Sequence, residues 1–163
     1  MLTKHFLFQQ SQQIACYLAF QNEFDTQPIL QAIWQAGKQC YLPVLIEEIA
    51  GKPSLEFVQY HEGDPLQTNR YSILEPKQHT TKIAPDQLDL VITPLVAFDG
   101  SGHRLGMGAG YYDRTFAFLH QKKLTSPALL GLAYEIQRVE NVPADPWDIA
   151  LAGVVTEERL TVF

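Results

Sequence analysis

The sequence predicts an α/β fold, a single-domain sandwich with a mainly parallel central sheet flanked by helices. Three observations carry this expectation. Runs that suit buried strands alternate along the chain with segments of helical spacing. The first strand, helix and second strand fit within about 30 residues, the size of a βαβ unit. The chain has 163 residues, 46% apolar and 18% charged, which sustains one hydrophobic core and leaves little room for a second.

Each element has its own signal. Ile14 to Phe20 is a continuous apolar run, as expected of a strand buried on both faces. Asp25 and Thr26 can cap a helix, Pro28 suits its first turn, and Ile29, Leu30, Ile33 and Trp34 recur at helical spacing before Gly37. Trp34 falls on the inward stripe and is read as core. Cys40 to Leu45 reads as the second strand, and Leu55 to Tyr60 alternates as a strand exposed on one face. Glu62 to Asn69 reads as loop. Leu88 to Phe98 is the strongest strand signal, and Pro94 should end or bulge it. Tyr111 to Lys123 is predicted as a helix with a cationic end at Lys122 and Lys123. Ala128 to Ala133 follows as a buried strand, and Val154, Val155 and Leu160 to Phe163 form a terminal strand or pair.

Composition removes several function classes. Twelve Lys and Arg against 18 Asp and Glu give a net charge of −6, which repels a polyphosphate backbone, so nucleic acid is not expected as a partner. No run of 18 apolar residues is present, so no membrane-spanning helix is expected. The N-terminus does not read as a secretory signal. Cys16 and Cys40, the only two cysteines, are expected to be reduced core residues of a cytoplasmic protein.

Glycine is unevenly placed. Five of the ten glycines lie between Gly100 and Gly110, a density that marks backbone turning tightly or approaching a ligand. A strand leads into this cluster and a helix leaves it, an arrangement whose backbone N–H groups can cradle phosphate. Asp113 would sit in the first helical turn, favoured by the dipole or holding Mg²⁺ against the same phosphates. Neither common phosphate loop is present: no Gly-Lys-Ser/Thr ends the cluster, and Gly106-x-Gly108-x-Gly110 lacks the wider last step of the dinucleotide fingerprint. From glycine spacing alone, a phosphate loop and a flexible loop without phosphate remain open.

Leu95 to Asp99, followed by Gly102-His-Arg-Leu-Gly-Met-Gly-Ala-Gly-Tyr-Tyr-Asp-Arg114, closely resembles the signature of the 5-formyltetrahydrofolate cyclo-ligase family, also called 5,10-methenyltetrahydrofolate synthetases. The resemblance extends through Phe20 to Thr26, Ala36 to Pro43, Ile73 to Pro76, Val142-Pro143, Trp147-Asp148 and Val154 to Thr156, and so covers nearly the whole chain. It implies conversion of 5-formyltetrahydrofolate to 5,10-methenyltetrahydrofolate with MgATP, releasing ADP and phosphate. It also implies an α/β sandwich of the kind shared with sugar-phosphate isomerases and CoA transferases, although no motif here supports those chemistries.

The resemblance also implies roles. Arg104, Leu105, Gly106, Met107, Gly108, Ala109, Gly110, Tyr111 and Tyr112 match an ATP-contacting loop. Met107 to Tyr111 also match folate contacts, together with Leu18 and Glu23. Arg104 and Tyr111 are the implied catalytic residues, and Asp113 and Asp148 the implied Mg²⁺ ligands. The bland alternatives are a solvated Glu23, Asp148 as a turn residue, and packing roles for one of Tyr111 and Tyr112 and for Tyr71, whose other role would be stacking on the folate ring. His103 reads as a solvated loop residue. The expected partners are small molecules, with a monomer expected and a homodimer as the alternative.

Two departures from the family pattern stand out. Relatives usually carry an extra N-terminal helix with Lys-x-x-apolar-Arg. Here 13 residues precede Ile14, and Lys4 is followed four positions later by Phe8. Relatives often carry a base inside the glycine loop, where this chain has Met107 and Ala109. The domain is therefore expected to lack one helix through its start site, to bind ATP weakly until that helix is supplied, and to hold Arg104 as the loop's sole cation. Neither Arg114 nor Lys122 is expected to face the loop. A folate-binding protein with weak or no turnover is the alternative function.

Overall fold

A computed structural model of the chain describes residues 2–47, 53–77, 81–122 and 125–163. In chain order its strands are β1 (Gln13–Ala15), β2 (Gln39–Glu47), β3 (Pro53–Gln59), β4 (Leu66–Thr68), β5 (Leu74–Pro76), β6 (Lys82–Ile83), β7 (Leu90–Thr93), β8 (Ala97–Phe98), β9 (Arg104–Leu105), β10 (Ala128–Leu132), β11 (Gly153–Val155) and β12 (Leu160–Val162). The α-helices are α1 (Phe6–Gln10), α2 (Gln27–Gln35), α3 (Tyr111–Thr115) and α4 (Phe118–Lys122). Eight strands form the central sheet in the order β12-β11-β10-β7-β1-β2-β3-β6. The contiguous strands β11, β10, β7, β1 and β2 pair in parallel, and antiparallel strands close both edges. This is the mainly parallel sheet expected from the sequence.

The strands alternate between two cores, as the pleat requires. Ile14, Leu90, Ile92 and Leu130 meet Leu30 and Ile33 of α2 on one face. Ala15, Val91, Leu129 and Val154 meet Phe116 and Leu119 on the other. Trp34 is half-buried against the first core, with its indole N–H donating to the Tyr60 carbonyl at 3.1 Å.

Four elements differ from expectation, one of them β4, a strand inside the 62–69 stretch read as loop, formed there because it pairs antiparallel with β5. The first strand is shorter than its apolar run, because beyond Ala15 only one further bond continues the ladder, from Cys16 N–H to the Tyr41 carbonyl at 2.9 Å. Ahead of it, where no helix was expected, a 3-10 turn at Leu2–Lys4 and α1 bury Leu2 and Phe8 in the first core. The helix predicted from Tyr111 divides into α3 and α4, and Lys123 lies outside the described residues. The division has a local cause. The Thr115 hydroxyl donates back to the Tyr111 carbonyl at 2.7 Å and accepts from Leu55 N–H at 3.0 Å, and such back-bonding bends helices. Pro94 breaks the 88–98 run into β7 and β8 as predicted.

Cys16 and Cys40 are both free and buried. Burial pushes the Cys16 thiol up to about 12 and raises that of Cys40 as well. Both are therefore expected to resist an aromatic disulfide reagent at neutral pH in the folded protein and to react fully in denaturant, since only the thiolate is the nucleophile. Absorbance of the released thiol reads the result, and fast reaction of either cysteine in the native state would contradict the packing.

Candidate active site

The order of the sheet fixes where a ligand can sit. From β1 the chain builds outward through β2, β3 and β6, then returns to the other side of β1 to lay down β7, β10, β11 and β12. The strand order reverses between β1 and β7, and in open parallel sheets the crevice at the carboxyl ends of such strands receives ligands. A cavity of about 450 Å³ lies there, within the usual range for small-molecule sites. Tyr17, Leu18, Phe20 and Glu23 line it from the segment after β1, and Pro94, Leu95 and Val96 from the segment after β7.

The glycine cluster supplies another wall. β8 and β9 pair as a hairpin whose turn is clamped by Asp99. Asp99 Oδ1 accepts from Ser101 and His103 N–H at 2.8 and 3.1 Å, and Oδ2 accepts from Val142 N–H at 3.0 Å and meets His103 Nδ1 at 3.0 Å. Burial alone would raise this carboxyl, but the bonds from Val142, Ser101 and His103 outweigh it and hold the carboxyl low, at about 2. His103 is thus a loop residue, part-exposed as expected, that also partners Asp99. Gly102 completes the turn at φ +86°, where a Cβ would stand 2.9 Å from the Leu151 carbonyl oxygen, so the close approach inferred from glycine density is to the protein's own backbone at this position.

Beyond β9 the loop carries Gly106, Met107, Ala109 and Gly110 along the cavity, followed by Tyr111, Tyr112 and Asp113 of α3. Gly110 enters α3 in the left-handed conformation at φ +63°. At five residues, α3 is too short for much dipole, so the loop's own N–H groups supply most of whatever an anion would meet here. Tyr112 packs nearly parallel to Phe116, with ring centroids 6.4 Å apart. The Tyr111 hydroxyl lies 3.4 Å from that of Tyr71 and accepts from Arg70 Nη2 at 3.3 Å.

Arg104 is locked in place. Its guanidinium donates to the Ile149 carbonyl and, at 2.7 Å, to Asp113 Oδ1, which also accepts from Ile149 N–H at 3.0 Å. The Arg104 side chain is only 6% exposed. Three separate segments, 104, 113 and 149, therefore meet in one buried clamp beside the cavity.

Glu23, far from the clamp in sequence, lines the same cavity from the wall after β1. Its Oε2 accepts from Phe20 N–H at 2.9 Å. Burial raises its carboxyl above the ordinary glutamate value, and the Phe20 bond offsets only part of that rise. The structure thus brings Leu18, Glu23, Arg104, Gly106, Met107, Ala109, Gly110, Tyr111, Tyr112 and Asp113 around one cavity. Leu105, Gly108 and Asp148 are not in its wall. Asp148 Oδ2 accepts from Asp145 N–H at 2.8 Å, the turn role that sequence left open for it.

One cation differs from expectation, and a second, Arg70, was the subject of none. Arg114 does face the loop: its guanidinium donates to the Ala109 carbonyl, Nε donates to the Pro53 carbonyl at 2.7 Å, and the group lies 5.8 Å from the Tyr111 ring centre. The signal was available, because Arg114 is one helical turn from Gly110 and its N–H donates to the Gly110 carbonyl at 3.1 Å. Arg70, over the Tyr71 ring at 4.8 Å, carried no such signal, since only the pairing of β4 with β5 brings it to the site. Lys122 packs over Phe118.

The donor set can be weighed against Mg²⁺. Among the described residues, no cluster of three or more His, Cys, Asp or Glu could hold a metal by itself. A nucleotide-bound Mg²⁺ needs only one or two carboxylates, with phosphates and water completing the octahedron. Asp113 fits that lesser demand, because both of its hydrogen bonds fall on Oδ1.

Fold and cavity together define a small-molecule-binding α/β sandwich with its site at the switch point of a parallel sheet. The chain belongs to the 5-formyltetrahydrofolate cyclo-ligase family, whose sequence profile matches residues 1–157, and it is an enzyme of that family. It is 46% identical over 148 residues to the 5-formyltetrahydrofolate cyclo-ligase of Escherichia coli K12, covering 90% of this chain and 79% of the relative. It is 40% identical over 147 residues to that of Haemophilus influenzae, covering 90% and 76%. The solution structure of Aquifex aeolicus 5,10-methenyltetrahydrofolate synthetase superposes with a TM-score of 0.77 at 30% identity, covering 99% of this chain and 76% of that one. Among the described residues no helix is long and apolar enough to cross a membrane.

Proposed function

We propose that the chain converts 5-formyltetrahydrofolate to 5,10-methenyltetrahydrofolate in an ATP- and Mg²⁺-dependent reaction. The supporting observation is the convergence of Glu23 and the glycine loop on one cavity. A half-buried carboxylate can accept from two adjacent donors of a pterin edge, and a loop of N–H groups can hold the phosphates of ATP nearby.

The chemistry needs alignment more than covalent help. The formyl oxygen attacks the γ-phosphorus and ADP leaves, forming an O–P bond. Nitrogen 10 then attacks the activated carbon and loses its proton. The C–O bond breaks, inorganic phosphate departs, and the cyclic methenyl cation remains. Phosphorylation converts a poor leaving group into a good one, and the protein aligns reactants and balances charge.

In this reading Glu23 and Leu18 hold the folate ring, and residues 104–112 contact ATP, with Met107 to Tyr111 shared between the two substrates. Arg104 uses two of its five N–H donors on Ile149 and Asp113, which leaves donors for a phosphoryl oxygen. Tyr111 borders both substrates. Asp113 would hold Mg²⁺ through Oδ2, with Asp148 beside it on the segment that binds Asp113. The ion supplies charge neutralisation at the phosphates.

The test is direct. With 5-formyltetrahydrofolate and MgATP, the absorbance band of the methenyl product is expected to grow with one ADP released per product. Absence of that band at every protein level, with folate binding intact, would overturn turnover in favour of a binding protein.

A further inference from the structure

Tyr17 holds a polar atom that the reading above leaves idle. The residue is 4% exposed and lines the cavity, yet its hydroxyl has no hydrogen-bond partner among the described residues. A buried hydroxyl left unpaired is unfavourable, and native proteins rarely keep one without reason. Phenylalanine would fill the same ring space without that cost.

The neighbours indicate the reason. The titratable groups facing Tyr17 are Glu23, Cys16, Tyr112 and Tyr134. Burial and then the charge of Glu23 push the phenol pKa upward, so the group stays a neutral donor. Glu23 is the one acceptor of full negative charge in this set. Among the described residues only its Oε2 is engaged, by Phe20 N–H, which leaves Oε1 open. A stranded donor and a half-satisfied carboxylate therefore share one wall of one cavity.

We propose that Tyr17 is a positioning residue for Glu23, its hydroxyl donating to the Glu23 carboxylate once the folate ring draws that carboxylate inward. The bond would hold the anion in the plane needed to accept two ring donors and would stabilise its charged form. This inference rests on Glu23 holding the folate ring, as set out above.

A double-mutant cycle on Tyr17→Phe and Glu23→Gln tests it, with 5-formyltetrahydrofolate binding measured calorimetrically on the whole chain. Tyr17→Phe is expected to weaken binding about tenfold, the scale of one charge-assisted hydrogen bond. It is also expected to move the acid loss of binding to higher pH, because Glu23 loses a donor that favours its anion. The other groups facing Tyr17 are the Cys16 thiol and the phenols of Tyr112 and Tyr134, so Glu23 is the one carboxylate among them. In a Glu23→Gln background the same change should have little further effect. The unliganded Tyr17→Phe protein should melt no lower than the parent, which separates positioning from packing. Equal affinity of the Tyr17→Phe variant and the parent, or an undiminished effect in the Glu23→Gln background, would overturn the proposal. Failure of the parent itself to bind 5-formyltetrahydrofolate would instead overturn the functional reading.

Discussion

Asp113→Ala is expected to abolish Mg²⁺-dependent turnover and also to lower folding stability by about 3 kcal/mol. The second effect follows from the clamp. Arg104 is 6% exposed and its guanidinium meets Asp113 Oδ1 at 2.7 Å. Removing the carboxylate leaves a buried cation without its counterion, and Ile149 N–H without its acceptor. Breaking a buried pair from one side is far more damaging than replacing both partners. Asp113→Asn separates the two effects, since its amide oxygen can still accept from Ile149 and Arg104. That variant should lose about 1 kcal/mol while still losing turnover. Replacing both partners with apolar residues, Arg104→Met with Asp113→Leu, should recover the share lost to the unpaired cation but not the two Ile149 bonds, and none of the activity. Urea unfolding and the methenyl absorbance assay read the two quantities. An Asp113→Asn enzyme with full turnover would remove Asp113 from metal binding, and an unperturbed Asp113→Ala midpoint would remove the clamp from the account of stability.

That clamp also marks what sequence could and could not reveal. The β1–α2–β2 unit was legible because its signals are local: an apolar run, a proline in the first helical turn and a glycine after the last. Pro94 was legible for the same reason. The division between α3 and α4 was not, because it depends on Thr115 meeting Leu55 across 60 positions. The resemblance pointed to Glu23, Arg104 and Asp113, and folding brings these three around one cavity. Their physical states were not. Arg104 reads in sequence as a free cation beside phosphate, yet folding joins it to Asp113 and to Ile149, 45 positions away. Arg114, which the sequence does not place toward the loop, donates to the Ala109 and Pro53 carbonyls. Tyr17 sits one place before Leu18 in an apolar run, and nothing in that run distinguishes its hydroxyl from the ring of a phenylalanine.

Glu23→Gln is expected to weaken 5-formyltetrahydrofolate binding about 100-fold, the scale of two hydrogen bonds losing their charged acceptor. The pH dependence gives a second and sharper signature. Burial raises the Glu23 carboxyl in the free protein. Between the ordinary glutamate value and that raised value, the folded chain holds a proton that the unfolded chain has lost. Stability on this account therefore falls as pH rises through the window. Binding runs the other way. Two ring donors need an anion opposite them, so the ligand favours the deprotonated group and binding expels the proton. Affinity should accordingly fall on acidification at a pH above that of an ordinary glutamate, and the Gln variant should lack this step. Calorimetric titrations in buffers of different ionisation enthalpy would count the released proton directly. A parent whose affinity is flat across the window, or a Gln variant with the same acid limb, would mean that Glu23 does not carry the charge read by the ring.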